Sequence, residues 1–293
     1  MKVALIFVLF EPQNNNWRKS VDVAYEKGFL PIVVDNSIDF LPLPEDNIEK
    51  YIYYRCNENI GIGKAQNIGI KKAFDNKADV VGFFDQDSVV TEELLNAMEK
   101  ELENEEIKIV APISYDIVTG KEYPSHRVGR SGKLVDVFSD SQGENIPVDI
   151  AISSGTFAKK CVFQEVGYFN ERLFIDFVDI EWCLRCRKKG IQIYIVPNAK
   201  MYHSIGEKNK RIGPINIEVH SPYRLYYKVR NSFLLLKYKV KIKIAIYQIL
   251  PAIILNFFLL FDKQNGKKYR HYYIRGIFDG IKQVDGKYED IYK

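Results

Sequence analysis

Two carboxylates separated by one residue, Asp85 and Asp87 of Asp85-Gln86-Asp87, follow directly on the apolar run Val80–Phe84. A buried strand that ends in such a pair places oxygen donors at its carboxyl end, where open α/β sheets bind ligands. Mg²⁺ or Mn²⁺ prefers that donor type and keeps substrate phosphate oxygens in its shell, although an acidic loop leading into the next helix explains the pair equally well. Asp35-Asn36-Ser37 also ends an apolar run, so it could hydrogen-bond a nucleobase or ribose or simply form a polar turn. Asn59-Ile-Gly61-Ile-Gly63-Lys64-Ala-Gln-Asn67 puts small residues at a helix start, permitting close approach of a phosphate to the positive helix end. Farther along, Asp176, Asp179 and Glu181 stand among Phe174, Ile175, Phe177, Val178, Ile180 and Trp182. A carboxyl desolvated by such neighbours has a raised pKa, which suits a general base. Asp179 could also cap the following helix, with Glu181 answering its dipole, and the two roles are compatible. His203, after a strand and Pro197, is a structural imidazole or a metal ligand.

These residues need a frame, and the chain supplies alternating strands and helices. Val3–Phe10, Phe29–Val34, Tyr51–Arg55, Val80–Phe84, Ile107–Pro112, Val148–Ile152 and Ile191–Val196 read as strands. Between them, 17–27, 65–76, 91–103, 159–166 and 180–189 read as helices, the third capped by Thr91 and the last closed by Gly190. Alternation of this kind predicts an α/β protein with a Rossmann-like, mainly parallel central sheet and helices on both faces. Residues 114–147 are polar and Gly-rich, an irregular excursion or a small hairpin at 133–138. The eight apolar residues after Lys2 suit a buried strand better than a signal peptide, because Glu11-Pro12 follows with no small-residue cleavage pattern.

At 46% apolar and 13% aromatic, the 293 residues exclude a disordered chain, and four cysteines exclude a disulfide framework and suit a reducing compartment. The lone Cys183-X-X-Cys186 has no second pair, so helical spacing explains it better than zinc. A net charge of +4 gives no basis for nucleic-acid binding.

The ordered set of motifs resembles the family 2 inverting glycosyltransferases of GT-A fold, nearest to bacterial rhamnosyltransferases of cell-surface polysaccharide synthesis. It comprises Val34–Ser37, the Asn59–Gly69 glycine series, Phe83–Ser88, Ser153-Ser154-Gly155-Thr156, Phe174–Arg185 and His203–Gly206, spanning about residues 1–235. The resemblance implies a catalytic domain over 1–222, with a nucleotide-sugar half to about 112 and an acceptor half from 113, then a helical extension over 223–293. It implies a nucleotide-sugar donor held by Asp35, Asn59, Gly61, Lys64, Asn67, Asp85 and Gln86, with Asp35 near the base. It implies Mg²⁺ or Mn²⁺ on Asp87, Asp85 and His203, and Asp179 as catalytic base. Ser154, Gly155, Thr156, Asp176, Glu181 and Trp182 fall on the acceptor side, toward a glycan or lipid-linked glycan. Val178 replaces the first acid of the family's usual Glu-Asp pair, and Asp176 is the candidate substitute.

The last fifth is electrostatically distinct, with twelve Lys/Arg against five Asp/Glu from Lys237 onward. Lys237, Lys239, Lys241 and Lys243 alternate with apolar residues before the nearly apolar stretch 244–261, and residues 223–261 read as two helices broken near Pro251. Segment 237–261 could lie peripherally on the inner face of the cell membrane of a cytoplasmic enzyme, or form ordinary core and homo-oligomer surface. A nucleotidyltransferase is the competing enzyme class, but it would want a basic, Gly-rich signature near the first strand, where Glu11-Pro-Gln-Asn14 stands. A carbohydrate-binding subunit with a decayed site is the non-catalytic alternative, and the joint presence of Asp85, Asp87, Asp179 and His203 argues against it.

Overall fold

A computed structural model describes residues 1–39, 49–139, 143–203, 209–212 and 215–292, with backbone alone for 203, 209–212 and 215–218. The chain runs β1 (Val3–Leu9), α1 (Asn16–Glu26), β2 (Leu30–Asp35), β3 (Ile52–Arg55), α2 (Ile62–Asp75), β4 (Val80–Asp85), α3 (Glu92–Leu102) and β5 (Ile109–Asp116). It continues through β6 (Glu122–Tyr123), β7 (Ser125–Val128), β8 (Leu134–Val137), β9 (Ile146–Val148), β10 (Phe157–Lys159), α4 (Lys160–Val166), α5 (Val178–Lys188) and β11 (Ile193–His203). After the ribbon β12 (Asn209–Ile212) and β13 (Ile215–Glu218) come α6 (Pro222–Lys237), α7 (Ile242–Phe257), α8 (Gly266–Ile281) and α9 (Tyr288–Ile291).

The sheet order is β3-β2-β1-β4-β10-β5-β11-β9, with β6 folded back on β5. Strands β3, β2, β1 and β4 are mutually parallel, as are β5 and β11, while β10 is antiparallel to both β4 and β5. Every residue of β1 is buried, as its unbroken apolar run requires of a central parallel strand. Its side chains divide by strand alternation: Ala4, Ile6 and Val8 face the core under α2 and α5, and Val3, Leu5, Phe7 and Leu9 face the core under α1 and α3. The mainly parallel α/β sheet with helices on both faces is therefore as expected.

Several local expectations are revised. Three-residue β10, read as part of a turn and helix start, joins the two parallel halves of the sheet. Residues 125–137 form a true hairpin, and β5 and β11 run farther than their apolar cores, to Asp116 and His203. The break between α6 and α7 lies at 238–241, not near Pro251, which is inside α7. Lys239 adopts a left-handed φ of 61° while Val240 N–H donates to Leu235 O at 3.0 Å, a Schellman-type stop for α6. Pro251 is on the exposed side of its helix, where solvent can take the carbonyl it leaves without a donor.

Candidate active site

The acidic turn closes β4. Asp85 N–H donates to Ser154 Oγ at 3.2 Å, Ser154 Oγ lies 2.7 Å from Ser88 Oγ, and Ser88 N–H returns to Asp85 O at 3.1 Å. Gln86 Oε1 accepts from Phe10 N–H at 2.7 Å, tying the turn to the end of β1, so Gln86 is a brace for the turn. Asp85 is half-buried and Asp87 exposed. Two oxygen donors of this kind fit a hard divalent cation. Among the described residues no three His, Cys, Asp or Glu side chains converge as a metal cluster. The third expected ligand, the His203 side chain, lies outside what is described, as do Ser204 to Gly206. Its backbone is nearby: Val89 N–H donates to Tyr202 O at 3.0 Å, which sets residue 203 beside the turn.

The donor-side loops interlock. Asn36 Oδ1 accepts from Ile60 N–H at 2.8 Å, while Asn59 Oδ1 accepts from Asn36 Nδ2 and from Gly61 N–H, each at 3.0 Å. Gly61 has φ +84°, and a Cβ there would stand 2.6 Å from Phe174 O. That carbonyl accepts from Ile62 N–H at 2.8 Å, so the start of α2 abuts the acid-rich segment. Lys64 is exposed on the first turn of α2. Two expected donor residues do not reach out. Asp35 is fully buried, accepting from Ser37 N–H at 3.0 Å and Tyr53 Oη at 2.6 Å. Burial first, then that bond, pushes the Tyr53 phenol above its ordinary pKa. Asn67 is 2% exposed and staples α2 to Phe169, donating to Phe169 O at 2.9 Å and accepting from Phe169 N–H at 3.0 Å. Both side chains are committed to partners within the protein.

Asp179 lies in the first turn of α5, not at its cap. The cap residue is Phe177, left-handed at φ 64°, with no side-chain capping bond. Asp179 carboxylate accepts from Ile180 N–H at 2.8 Å and from the backbone N–H of Ser153. Burial raises its pKa; these backbone donors oppose the rise, and the negative charge of Asp176 adds to it. Its surface remains partly accessible even though its surroundings are dense. Since Ser153 N–H meets Asp179 and Ser154 Oγ meets Asp85 N–H, adjacent serines join the two acid-bearing segments. Asp176 is paired with Arg224, whose Nη2 is 3.0 Å from Oδ1 and Nε 3.1 Å from Oδ2.

The remaining acceptor-side expectations divide. Ser154 and Thr156 are buried braces, Thr156 Oγ1 donating to Ile152 O at 2.6 Å, and Gly155 N–H donates to Phe83 O at 2.6 Å. Glu181 is 2% exposed and bonded by Arg185 at 2.8 and 3.0 Å. Trp182 is 2% exposed, stacks on Phe163 at 5.4 Å and donates Nε1–H to Gly167 O at 3.0 Å. Trp182 is packed inward on the sheet, whereas Glu181, although buried, lines an open depression with Tyr168, Asn170, Arg185, Lys237, Tyr238 and Lys239. The reading also missed Arg224, Arg230 and Asn231 on α6, whose partners near 172–176 are some fifty residues away in sequence. All four cysteines are free, and Cys183 and Cys186 are buried, in keeping with a packing role for the pair.

Comparison with known proteins bears on this arrangement. A family model described as Glycosyl transferase family 2 matches residues 30–166. The chain is 36% identical over 283 residues to the dTDP-rhamnosyl transferase RfbF of Shigella flexneri, covering 96% of each. It is 25% identical over 209 residues to the low-salt glycan biosynthesis hexosyltransferase Agl10 of Haloferax volcanii, covering 69% of this chain and 66% of that protein. Among solved structures, GalNAc-T7 with UDP, GalNAc and Mn²⁺ aligns with a TM-score of 0.61 at 13% identity, covering 97% of this chain and 56% of its own. S. aureus TarS 1–349 in complex with UDP-GlcNAc aligns with a TM-score of 0.54 at 15% identity, covering 97% of this chain and 82% of that one. At these identities the structural likeness speaks for a shared GT-A fold.

Proposed function

Since the chain belongs to glycosyltransferase family 2 and is a glycosyltransferase, we propose that it transfers rhamnose from dTDP-rhamnose, with inversion, to a hydroxyl of a glycan or lipid-linked glycan in surface-polysaccharide synthesis. The carrying observation is Asp179: a carboxylate with raised pKa, linked through Ser153 and Ser154 to the acidic turn after β4. An acceptor hydroxyl is too weakly acidic to attack unaided, and Asp179 accepts its proton as it approaches the anomeric carbon. Displacement from the opposite face inverts that carbon, as in single-step glycoside chemistry. Asp176, paired with Arg224, adds its negative charge to the upward push on the Asp179 carboxyl, which favours proton uptake there. The loop 59–64 and the start of α2 receive the diphosphate, with backbone N–H groups and Lys64 as donors.

Asp87, Asp85 and His203 would hold Mg²⁺ or Mn²⁺, which when bound supplies positive charge to the departing diphosphate. The Mn²⁺ of the GalNAc-T7 structure supports the use of a divalent cation, not the choice of these residues. The donor identity rests on the dTDP-rhamnosyl transferase relative; a UDP-hexose is the alternative, favoured by the hexosyltransferase relative and by TarS with UDP-GlcNAc. Thermal shift and turnover with dTDP-rhamnose and a panel of UDP-hexoses, each with Mn²⁺ and with EDTA, decide between them. A larger stabilisation and sugar transfer with the dTDP donor are expected. Transfer from UDP-hexoses alone would replace the rhamnosyl reading.

For location, we place the enzyme in the cytoplasm against the inner face of the cell membrane. The 20-residue stretch Ile242–Phe261 contains an 18-residue window of mean hydropathy 2.2, long and apolar enough by composition to cross a bilayer. It packs on the protein through Ile244, Ala245, Ala252 and Asn256 while exposing Ile242, Leu250, Ile254 and Phe261, which supports a peripheral pose. Lys239, Lys241 and Lys243 are exposed beside this face, ready for anionic headgroups. Flotation with anionic vesicles in low salt is expected; failure to float removes the membrane assignment.

A further inference from the structure

The segment before α5 is bent in a way its residues resist. Phe174, Asp176 and Phe177 have φ of 67°, 60° and 64°, the left-handed region that side chains with a Cβ disfavour. No glycine relieves it, so other contacts must hold the conformation. Most come from one helix far along the chain. Asn231 of α6 aims its amide at three carbonyls of the bent segment: Nδ2 is 2.8 Å from Leu173 O, 2.7 Å from Ile175 O and 3.0 Å from Asp176 O. Its own Oδ1 accepts from Arg230 Nε at 2.9 Å, which fixes the amide with its hydrogens toward those carbonyls. Arg230 is fully buried, its guanidinium 5.0 and 4.8 Å from the rings of Tyr226 and Tyr227, and it donates to Gly286 O at 2.6 Å and Leu173 O at 3.3 Å. Asn231 is fully buried too.

We propose that Asn231, oriented by Arg230, is a positioning residue for glycosyl transfer: it holds the left-handed 174–177 segment so that Asp176 and Asp179 keep their places relative to the start of α2. The inference rests on the assignment of Asp179 as base and adds to it the part of the molecule that aims the base. A plain core amide would bond whatever carbonyl lay nearest. Here a single side chain gathers the carbonyls of Leu173, Ile175 and Asp176, in and next to the only described stretch of the chain where three non-glycine residues within four positions have positive φ. The same stretch carries Phe174 O, which receives Ile62 N–H from the donor-side helix, and Asp176, which receives Arg224. Releasing it would misplace the acceptor-side acids relative to the donor loop.

The test is a double-mutant cycle on the full chain with Asn231→Ala and Asp179→Asn, reading kcat and donor KM well below the melting temperature. Asn231→Ala is expected to lower kcat by about 10- to 100-fold, the range a displacement near 1 Å costs, with donor KM little changed. In the Asp179→Asn background the same substitution is expected to cost little more, since the residue it aims is already disabled. Asn231→Ser, which keeps one hydroxyl donor, is expected to fall between wild type and Ala in kcat, and it is the variant read should Ala not fold. A wild-type kcat in Asn231→Ala or Asn231→Ser, or an equal loss in both backgrounds, assigns Asn231 to packing alone and overturns the proposal. Wild-type kcat in Asp179→Asn by itself overturns the base assignment as well, whatever the Asn231 variants do.

Discussion

The acidic turn after β4 and the acid segment before α5 carry carboxylates to neighbouring places by opposite means. The turn is wet and unstrained: Asp87 is exposed, Asp85 half-buried, and no residue from 85 to 88 has a positive φ. Its braces come from Ser88 beside it, from Ser154, and from the bond of Gln86 to Phe10 at the end of β1. The segment from Phe174 to Asp179 has three left-handed non-glycine residues, each costing about 1–3 kcal/mol, and is held from α6. A carboxylate that binds a cation needs no desolvated surroundings, and an exposed turn provides none. A base that works near neutral pH needs its carboxyl pKa raised, and dense surroundings do that only if something else fixes the backbone there. The costly conformation is found where proton transfer is assigned, and the inexpensive one where charge is offered.

The largest effect that would break this contrast is in Asp179→Asn. Loss of a general base typically removes about 10²- to 10⁴-fold in rate, so transfer should nearly cease while dTDP still raises the melting temperature. The pH dependence follows from the same shift. Because the folded pKa of Asp179 lies above the unfolded value, near 3.9 for an ordinary Asp, its ionisation costs stability once pH exceeds both values. Wild-type kcat/KM should therefore fall on the acid side above the usual carboxylate range. Asp179→Asn should melt higher than wild type at alkaline pH, with the gain shrinking as pH drops through the folded pKa. A variant that gains nothing at high pH would show Asp179 to be no more buried than the turn.

Asp87→Asn tests the other side. The Mn²⁺ concentration for half-maximal activity should rise by at least roughly tenfold, the lower end of what losing even an outer-shell partner costs. The melting temperature without metal should stay put, because Asp87 is exposed. A fall in stability instead would make the turn a structural element.

How far these roles could be read from sequence depends on how local their causes are. Strand β4 and its acids were legible, since an apolar run ending in carboxylates is a pattern within eight residues. Thr91 as cap was legible for the same reason, and its Oγ1 does accept from Leu94 N–H at 3.2 Å. The burial of Asp35, Asn67, Glu181 and Trp182 was not legible, because residue type and motif order do not tell which face of an element turns inward; all four are at most 2% exposed. Phe177 as a left-handed cap was invisible: nothing in Phe-Val-Asp announces a positive φ, and the Asp176 carbonyl just before it is held by Asn231, some fifty residues away on α6. Three-residue β10 fell below any periodicity.

Gly61→Ala should have an intermediate effect that reaches both regions. A positive φ and a Cβ 2.6 Å from Phe174 O leave the loop no easy accommodation, so a destabilisation of about 1–3 kcal/mol is expected. Donor KM should rise and kcat fall together, because the carbonyl pushed aside belongs to the acid segment. A change in KM alone would show that loop 59–61 moves without it.

The smallest effect comes from Ser154→Ala, which separates the two regions most finely. Ser154 is 2% exposed, and its Oγ serves Asp85 N–H and Ser88 Oγ; removal deletes both bonds, each worth about 0.5–1.5 kcal/mol. Asp179 is served by the backbone N–H of the preceding Ser153, which a side-chain change at 154 leaves in place. Kinetic loss should therefore appear as weaker Mn²⁺ activation, with the acid limb of kcat/KM unmoved. A shifted acid limb would mean that Ser153 and Ser154 form one hinge, so that disturbing the wet turn also changes the burial of the base.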